Sequence, residues 1–138
     1  MCEYPKAQLA KSEPPAPQAT ISPGYQFWDF TFDSSGNLWV PEFYHNVVVE
    51  YTKSELAASR SPTPKVVISQ SASANVFDTP TDLAFDSAGD LWVLNSGNQA
   101  LVEISKAQLA KSGTPTPTRT IAGAATGLNN PQYLAIEP

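Results

Sequence analysis

Residues 29–40 read DFTFDSSGNLWV and residues 82–93 read DLAFDSAGDLWV, so one unit returns after a step of 53 residues. The match runs on without a gap: Val49-Glu50 falls on Val102-Glu103, Lys53 on Lys106, Leu56 on Leu109, Pro62-Thr63-Pro64 on Pro115-Thr116-Pro117, and Ile68 on Ile121. A fixed period of this length is the signature of a repeat architecture. Partial copies flank the two full ones. Residues 6–12, KAQLAKS, are identical to residues 106–112, with Glu3, Pro15, Pro17 and Ile21 each 100 positions before its counterpart. At the other end Pro131-Gln-Tyr-Leu-Ala-Ile-Glu137 parallels Pro80-Thr-Asp-Leu-Ala-Phe-Asp86, 51 apart. The chain is thus expected to open midway through one repeat and to close just inside another.

Each full repeat reads as four strands. The first (a) is expected over Phe30–Asp33 and Leu83–Asp86. A tight turn follows, Asp33–Asn37 or Asp86–Asp90, in which an Asp can bond the backbone ahead and a Gly can take positive φ. The second strand (b), Leu38–Val40 and Leu91–Val93, is apolar on both faces, so neighbours should cover both. That places Trp39 and Trp92 in the core. The third (c) spans Val47–Tyr51 and Ala100–Ile104. Thr52-Lys-Ser-Glu55 and Ser105-Lys-Ala-Gln108 then match the capping box that opens a short helix, stopped by the Pro-x-Pro beyond. The fourth strand (d), Lys65–Ser69 and Thr118–Ile121, is more polar, as suits an outer edge.

Four strands per repeat of roughly 40–50 residues describe a β-propeller blade. A β-sandwich would not require the period, and β-solenoid coils are shorter. The pattern Asp-x-x-Gly-Asn/Asp-Leu-Trp-Val, followed by an Asn-containing loop and a Val-rich strand, resembles bacterial propellers of the NHL-repeat type. Through them it looks like the streptogramin lyases and the gluconolactonase-like six-bladed enzymes. The resemblance implies an all-β propeller with blades at 29–69 and 82–122, a half blade (strands c and d) at 1–22 and strand a of a further blade at 131–138. Two blades and two fragments cannot close a ring, and an isolated stack would expose apolar blade faces on the order of 1,000 Å² each. A homodimer sharing hybrid blades would close six, within the four to eight usual for propellers. A piece of a longer propeller with no activity of its own is the alternative.

In such a propeller the d–a and b–c connections share one end. There Asp29 and Asp82 should stand at the strand-a entrances with Tyr133 as the third equivalent, while the b–c loops add Glu42, His45 and Asn46 from one copy and Asn95, Ser96, Asn98 and Gln99 from the other. These loops are where the copies differ most, and divergent loops on a repeated scaffold carry specificity. Asp29, Glu42, His45, Asp82, Asn95, Asn98 and Tyr133 are therefore the candidate ligand-binding residues. Phe43 and Tyr44 could rim a carbohydrate or peptide site, or pack on the next blade. His45, the single histidine, with Glu42 three positions before it, could perform acid/base work or share a divalent metal. The gluconolactonase-like enzymes hold such a metal with Glu, Asn and Asp, which makes a metal-assisted lyase or lactonase centred on Glu42, His45 and Asp82 the second reading. The first is a binding or scaffold module without a cofactor.

Composition narrows the partners. Among 138 residues the net charge of −5 offers no basic patch for nucleic acid, and no apolar run reaches the ~20 residues of a membrane helix. Charged residues make up 15% and prolines number 13, which favours short strands joined by stiff connectors over helices. With one cysteine, Cys2, no disulfide can form within the chain. The N-terminal stretch MCEYPKAQ has no apolar core of a signal peptide. The compartment is open, although related propellers are often secreted or periplasmic.

Overall fold

The computed structural model describes residues 2–3, 19–20, 22, 26–57, 61–70 and 76–137. Their strands are β1 (Cys2–Glu3), β2 (Ala19–Thr20), β3 (Thr31–Phe32), β4 (Leu38–Glu42), β5 (Val47–Tyr51), β6 (Val66–Ser69), β7 (Pro80–Phe85), β8 (Leu91–Asn95), β9 (Ala100–Ile104) and β10 (Arg119–Ile121). One helical turn, α1 (Lys53–Leu56), and 3₁₀ turns at Gln108–Ala110 and Ala124–Thr126 complete the set. The chain is all-β: two four-stranded antiparallel sheets, ordered β3-β4-β5-β6 and β10-β9-β8-β7, and a two-stranded pair β1-β2. Each sheet is a simple meander built from one repeat.

The repeat is also a repeat of register. Glu103 pairs with Arg119 and Val102 with Thr120. One step earlier Glu50 pairs with Val66 and Val49 with Val67. In the partial copy Glu3 pairs with Ala19 and Cys2 with Thr20. Register is set by which side chains must face a neighbour, and a one-residue slip would turn every one of them outward.

Both a–b turns are held by their aspartate. Asp33 Oδ1 accepts the N–H groups of Ser35 and Asn37 at 2.9 Å each, and Asp86 Oδ1 those of Ala88 and Asp90 at 2.9 and 3.0 Å. The second carboxylate oxygens take the indole N–H of Trp39 (3.3 Å) and Trp92 (3.1 Å). Gly36 and Gly89 supply the positive φ the turn requires, +80° and +84°. Burial alone would raise the Asp33 carboxyl, but the donors from Asn37, Trp39 and Ser35 outweigh it and hold the group below its ordinary value. At the helical turns, Glu55 Oε2 accepts the Thr52 N–H at 2.9 Å and Gln108 Oε1 the Ser105 N–H at 3.0 Å, so the capping residues read from sequence close the turn in both copies.

The sheets stack face to face, and they do so head to tail. Trp39, Val48, Val66 and Ile68 on one face of the first sheet share a core with Leu83, Leu91, Val93, Val102 and Ile104 of the second. The other face of the first sheet, Leu38, Val40, Val49 and Tyr51, forms a second cluster with Phe27, Leu56 and Val67. Those four residues lie one repeat before Leu91, Val93, Val102 and Ile104, so equivalent faces point the same way along the stack. Leu109, in the 3₁₀ turn, reaches back into the shared core.

Two expectations are corrected. The fourth strand of the first repeat is not a polar edge: Val66 and Ile68 are buried, and Ile68 forms a parallel bridge with Gly113 of the next repeat. Around it Gly113 N–H donates to the Val67 carbonyl (3.1 Å), Ser69 N–H to the Gly113 carbonyl (2.9 Å) and Val67 N–H to Ser112 Oγ (3.0 Å). Second, no strand forms over 131–137, where a strand a was expected. A strand requires a ladder partner, and neither partial copy contains a counterpart of Leu91-Trp-Val93.

Candidate functional site

The end carrying the d–a and b–c connections brings together part of the expected set. Asp82 follows an irregularity in the β7–β8 ladder between Pro80 and Asp82. It is buried, its Oδ1 capping the Leu83 N–H at 2.7 Å and its Oδ2 accepting the Leu134 N–H at 2.5 Å. Asp29 caps the Phe30 N–H at 2.7 Å in the same manner, and its carboxyl lies against that of Asp82. Burial, then the neighbouring Asp29 charge, raises the Asp82 carboxyl above its usual range despite the two backbone donors. Tyr133, expected as the third equivalent, is 83% exposed.

The sign of this coupling is testable. A carboxyl raised in the fold binds its proton more tightly than in the unfolded chain, so the contribution of Asp82 to stability falls as pH rises from about 4 through the folded value, while the lowered Asp33 and Asp86 act in the opposite sense. Glu50, also raised, chiefly by burial, acts in the same direction as Asp82. Asp29→Asn is expected to bring the Asp82 carboxyl part of the way back towards its ordinary value and so to make this pH dependence less steep between pH 4 and pH 7, with burial, the larger cause, still raising it. Urea titrations at the two pH values measure it.

Glu42 and His45 also meet. Glu42 is fully buried at the end of β4, and its Oε2 accepts the His45 backbone N–H at 2.7 Å and stands 2.6 Å from His45 Nδ1. The imidazole is exposed. Asn95, at the equivalent position of β8, is a structural residue and not a surface ligand: its Oδ1 accepts the Asp78 N–H at 3.2 Å and its Nδ2 donates to the Val76 carbonyl at 3.0 Å. It pins the connection into strand β7. Asn98 is exposed in its turn. Asn46 and Gln99, one repeat apart, both adopt φ of +55°, and Asn46 Oδ1 accepts the Thr79 N–H at 2.8 Å. Beside these groups three aromatic rings form a row: Trp28 lies 6.1 Å from Phe43, and Phe43 5.1 Å from Tyr44. Trp28 and Tyr44 are about two-thirds exposed, at 68% and 67%. Trp28 had no motif to flag it; its position just before the strand-a aspartate is the signal that could have found it.

At the opposite end, between the two a–b turns, lies a cleft of about 400 Å³ walled by Asp33, Glu50, Lys65, Asp86, Lys106 and Leu109 among others. It was not anticipated, because each turn read alone is only a hairpin. On its far side Asp86, Asp90 and Glu103 bring carboxylate oxygens within 4.8 Å of one another, a grouping able to hold a cation. Arg119 Nε, 3.5 Å from Glu103 Oε2, already supplies positive charge there. Copy one has the neutral Asn37 in place of Asp90, and its amide donates to Asp33 Oδ2 at 2.9 Å.

A comparison with solved structures finds similarity to the crystal structure of a protein of unknown function from Bacteroides caccae, with TM-score 0.54 at 18% identity over 75% of this chain. The likeness is one of fold alone. This chain spans 33% of that protein. No family model matches the sequence, and no curated protein does. The described residues contain no helix long and apolar enough to cross a membrane.

Proposed function

We propose that the chain is an arc of an NHL-like β-propeller that assembles with a second copy and works as a binding or scaffold module. One observation carries the assembly: the two flanks of the stack expose the same positions that the sheets bury between them. Ile68 is 1% exposed under the second sheet, whereas Ile121, one repeat on, is 44% exposed. Trp92 and Leu101, the counterparts of the buried Trp39 and Val48, are only half-buried. On the other flank Phe30 and Phe32, the counterparts of Leu83 and Phe85 that pack on the first sheet, are 40% and 50% exposed. One flank therefore fits the other. Two copies, each contributing two blades and sharing two hybrids, give six.

The binding surface in this reading is the row Trp28-Phe43-Tyr44 beside the Glu42–His45 pair and the Asp29–Asp82 pair. Aromatic faces next to fixed acceptors suit a carbohydrate or peptide. Light scattering after size exclusion tests the assembly. A mass of about twice the 14.8 kDa chain is expected, and a stable monomer at micromolar concentration overturns it. The second reading, a metal-assisted lyase or lactonase on Glu42, His45 and Asp82, draws on the acid pair and the Glu42–His45 contact. It requires stoichiometric divalent-metal binding that is lost when Glu42 and His45 are both changed to Ala.

A further inference from the structure

We infer that the cleft between the two a–b turns binds a small zwitterion of the α-amino-acid class, its ammonium held by Glu50 and its carboxylate by Lys65 and Lys106. The site lies within one chain, at the end opposite the aromatic row, so it goes beyond the reading above and does not depend on assembly. Its volume, about 400 Å³, falls inside the ~300–1,000 Å³ common to small-molecule sites.

The charges along its walls are not equivalent. Asp33 and Asp86 are occupied by their own turns, where backbone and indole N–H groups take both carboxylate oxygens of each. Glu50 is different. It lines the cleft from β5 and is 5% exposed, yet among the described residues no donor or cation reaches its carboxylate. A buried carboxyl that no donor meets is costly. The other repeat shows what is missing. Glu103, one repeat on, has Arg119 as its ladder partner, with Nε 3.5 Å from Oε2. The ladder partner of Glu50 is Val66, so the cation that the chain supplies to Glu103 is left for a ligand to bring to Glu50. Burial raises the Glu50 carboxyl above its ordinary value, and Lys65 is the cation that draws it back.

Lys65 and Lys106 are exposed on the cleft walls, and neither forms an ion pair with a carboxylate among the described residues. The Lys106 stem lies across Gly89, which brings its ammonium over the second turn. Two free ammonium groups tell against a purely cationic ligand, and a carboxylate on the same molecule answers them. Trp39, Phe85 and Leu109 add an apolar wall, which favours an apolar side chain.

Titration of the isotope-labelled full chain with L-leucine, followed by NMR, tests the site. The indole N–H of Trp39, at the cleft wall, should shift saturably, with a Kd on the order of 1 mM or below. N-acetyl-leucine lacks the ammonium and leucine amide lacks the carboxylate; each should bind roughly tenfold more weakly or worse. Glu50→Gln should weaken leucine by a similar factor and leave the melting temperature unchanged or higher, since it removes a buried charge without a partner. Lys65→Met with Lys106→Met, both at exposed positions, should weaken leucine and leave leucine amide unaffected. No saturable shift with leucine overturns the site, as does one that Glu50→Gln leaves intact. Equal affinity for N-acetyl-leucine, or indifference to the lysine pair, overturns the charge assignment. If Glu50→Gln fails to fold, the lysine variant and the two blocked leucines decide. The mass of the assembly, measured separately, is independent of each result.

Discussion

Trp39→Ala is expected to cost about 3–5 kcal/mol of folding stability, the usual range for emptying a buried tryptophan site. The indole is 3% exposed, packs in the core between the sheets with Phe85 at 6.0 Å, and donates to Asp33. Trp92→Ala, the same change one repeat later, is expected to cost less than half as much in the isolated chain. Trp92 makes the same hydrogen bond, to Asp86, but its outward face has no sheet upon it among the described residues. Under conditions where the chain is assembled the two costs should converge, because the partner would then cover Trp92 as the second sheet covers Trp39. Urea unfolding of both variants at nanomolar and at high micromolar concentration tests this. A constant gap at all concentrations would count against assembly through that face.

Asn95→Ala should be the second large effect, about 2–4 kcal/mol. The side chain is fully buried and satisfies one backbone donor and one backbone acceptor, at Asp78 and Val76. Removing it leaves both in a dry place, and each orphaned buried group costs roughly 1–3 kcal/mol. Asn95→Asp keeps the acceptor for Asp78 but sets a buried carboxylate oxygen against the Val76 carbonyl, so near neutral pH it should cost at least as much as alanine. Equal stability of all three in chemical denaturation would show that water replaces the amide without penalty. The loss should include Phe77, fully buried beside Val76, whose position depends on that connection.

Much of the fold was legible because strands in a repeat must satisfy the same neighbours twice. The third strands, Val47–Tyr51 and Ala100–Ile104, fall where the sequence reading put them, directly before the capping residues. The a–b turns follow from one Asp and one Gly each. Burial was less legible, since identical residues meet different surroundings: Ile68 and Ile121 cannot be told apart in sequence, and only the stacking order separates them. Strand a failed in the same way at 131–137, where the residue pattern is present but the strand that would pair with it is not. Of the candidate site, the nearness of Glu42 to His45 followed from their spacing, whereas Asp29 and Asp82 were placed only at the same end, without a contact between them. The role of Asn95 was not, because an amide at the end of a strand looks the same whether it faces a ligand or its own chain. The cleft between the turns needed two hairpins placed side by side, information that neither hairpin contains.

The shared rungs, Glu3 with Ala19, Glu50 with Val66 and Glu103 with Arg119, carry a consequence for how such a molecule can change in length. A duplication or deletion cut at matching points in two turns removes or adds one complete set of ladder partners and leaves every remaining side chain on its own side. Gain or loss of a whole repeat therefore preserves the pairing of every strand that remains, whereas a change of a few residues inside a strand shifts its register.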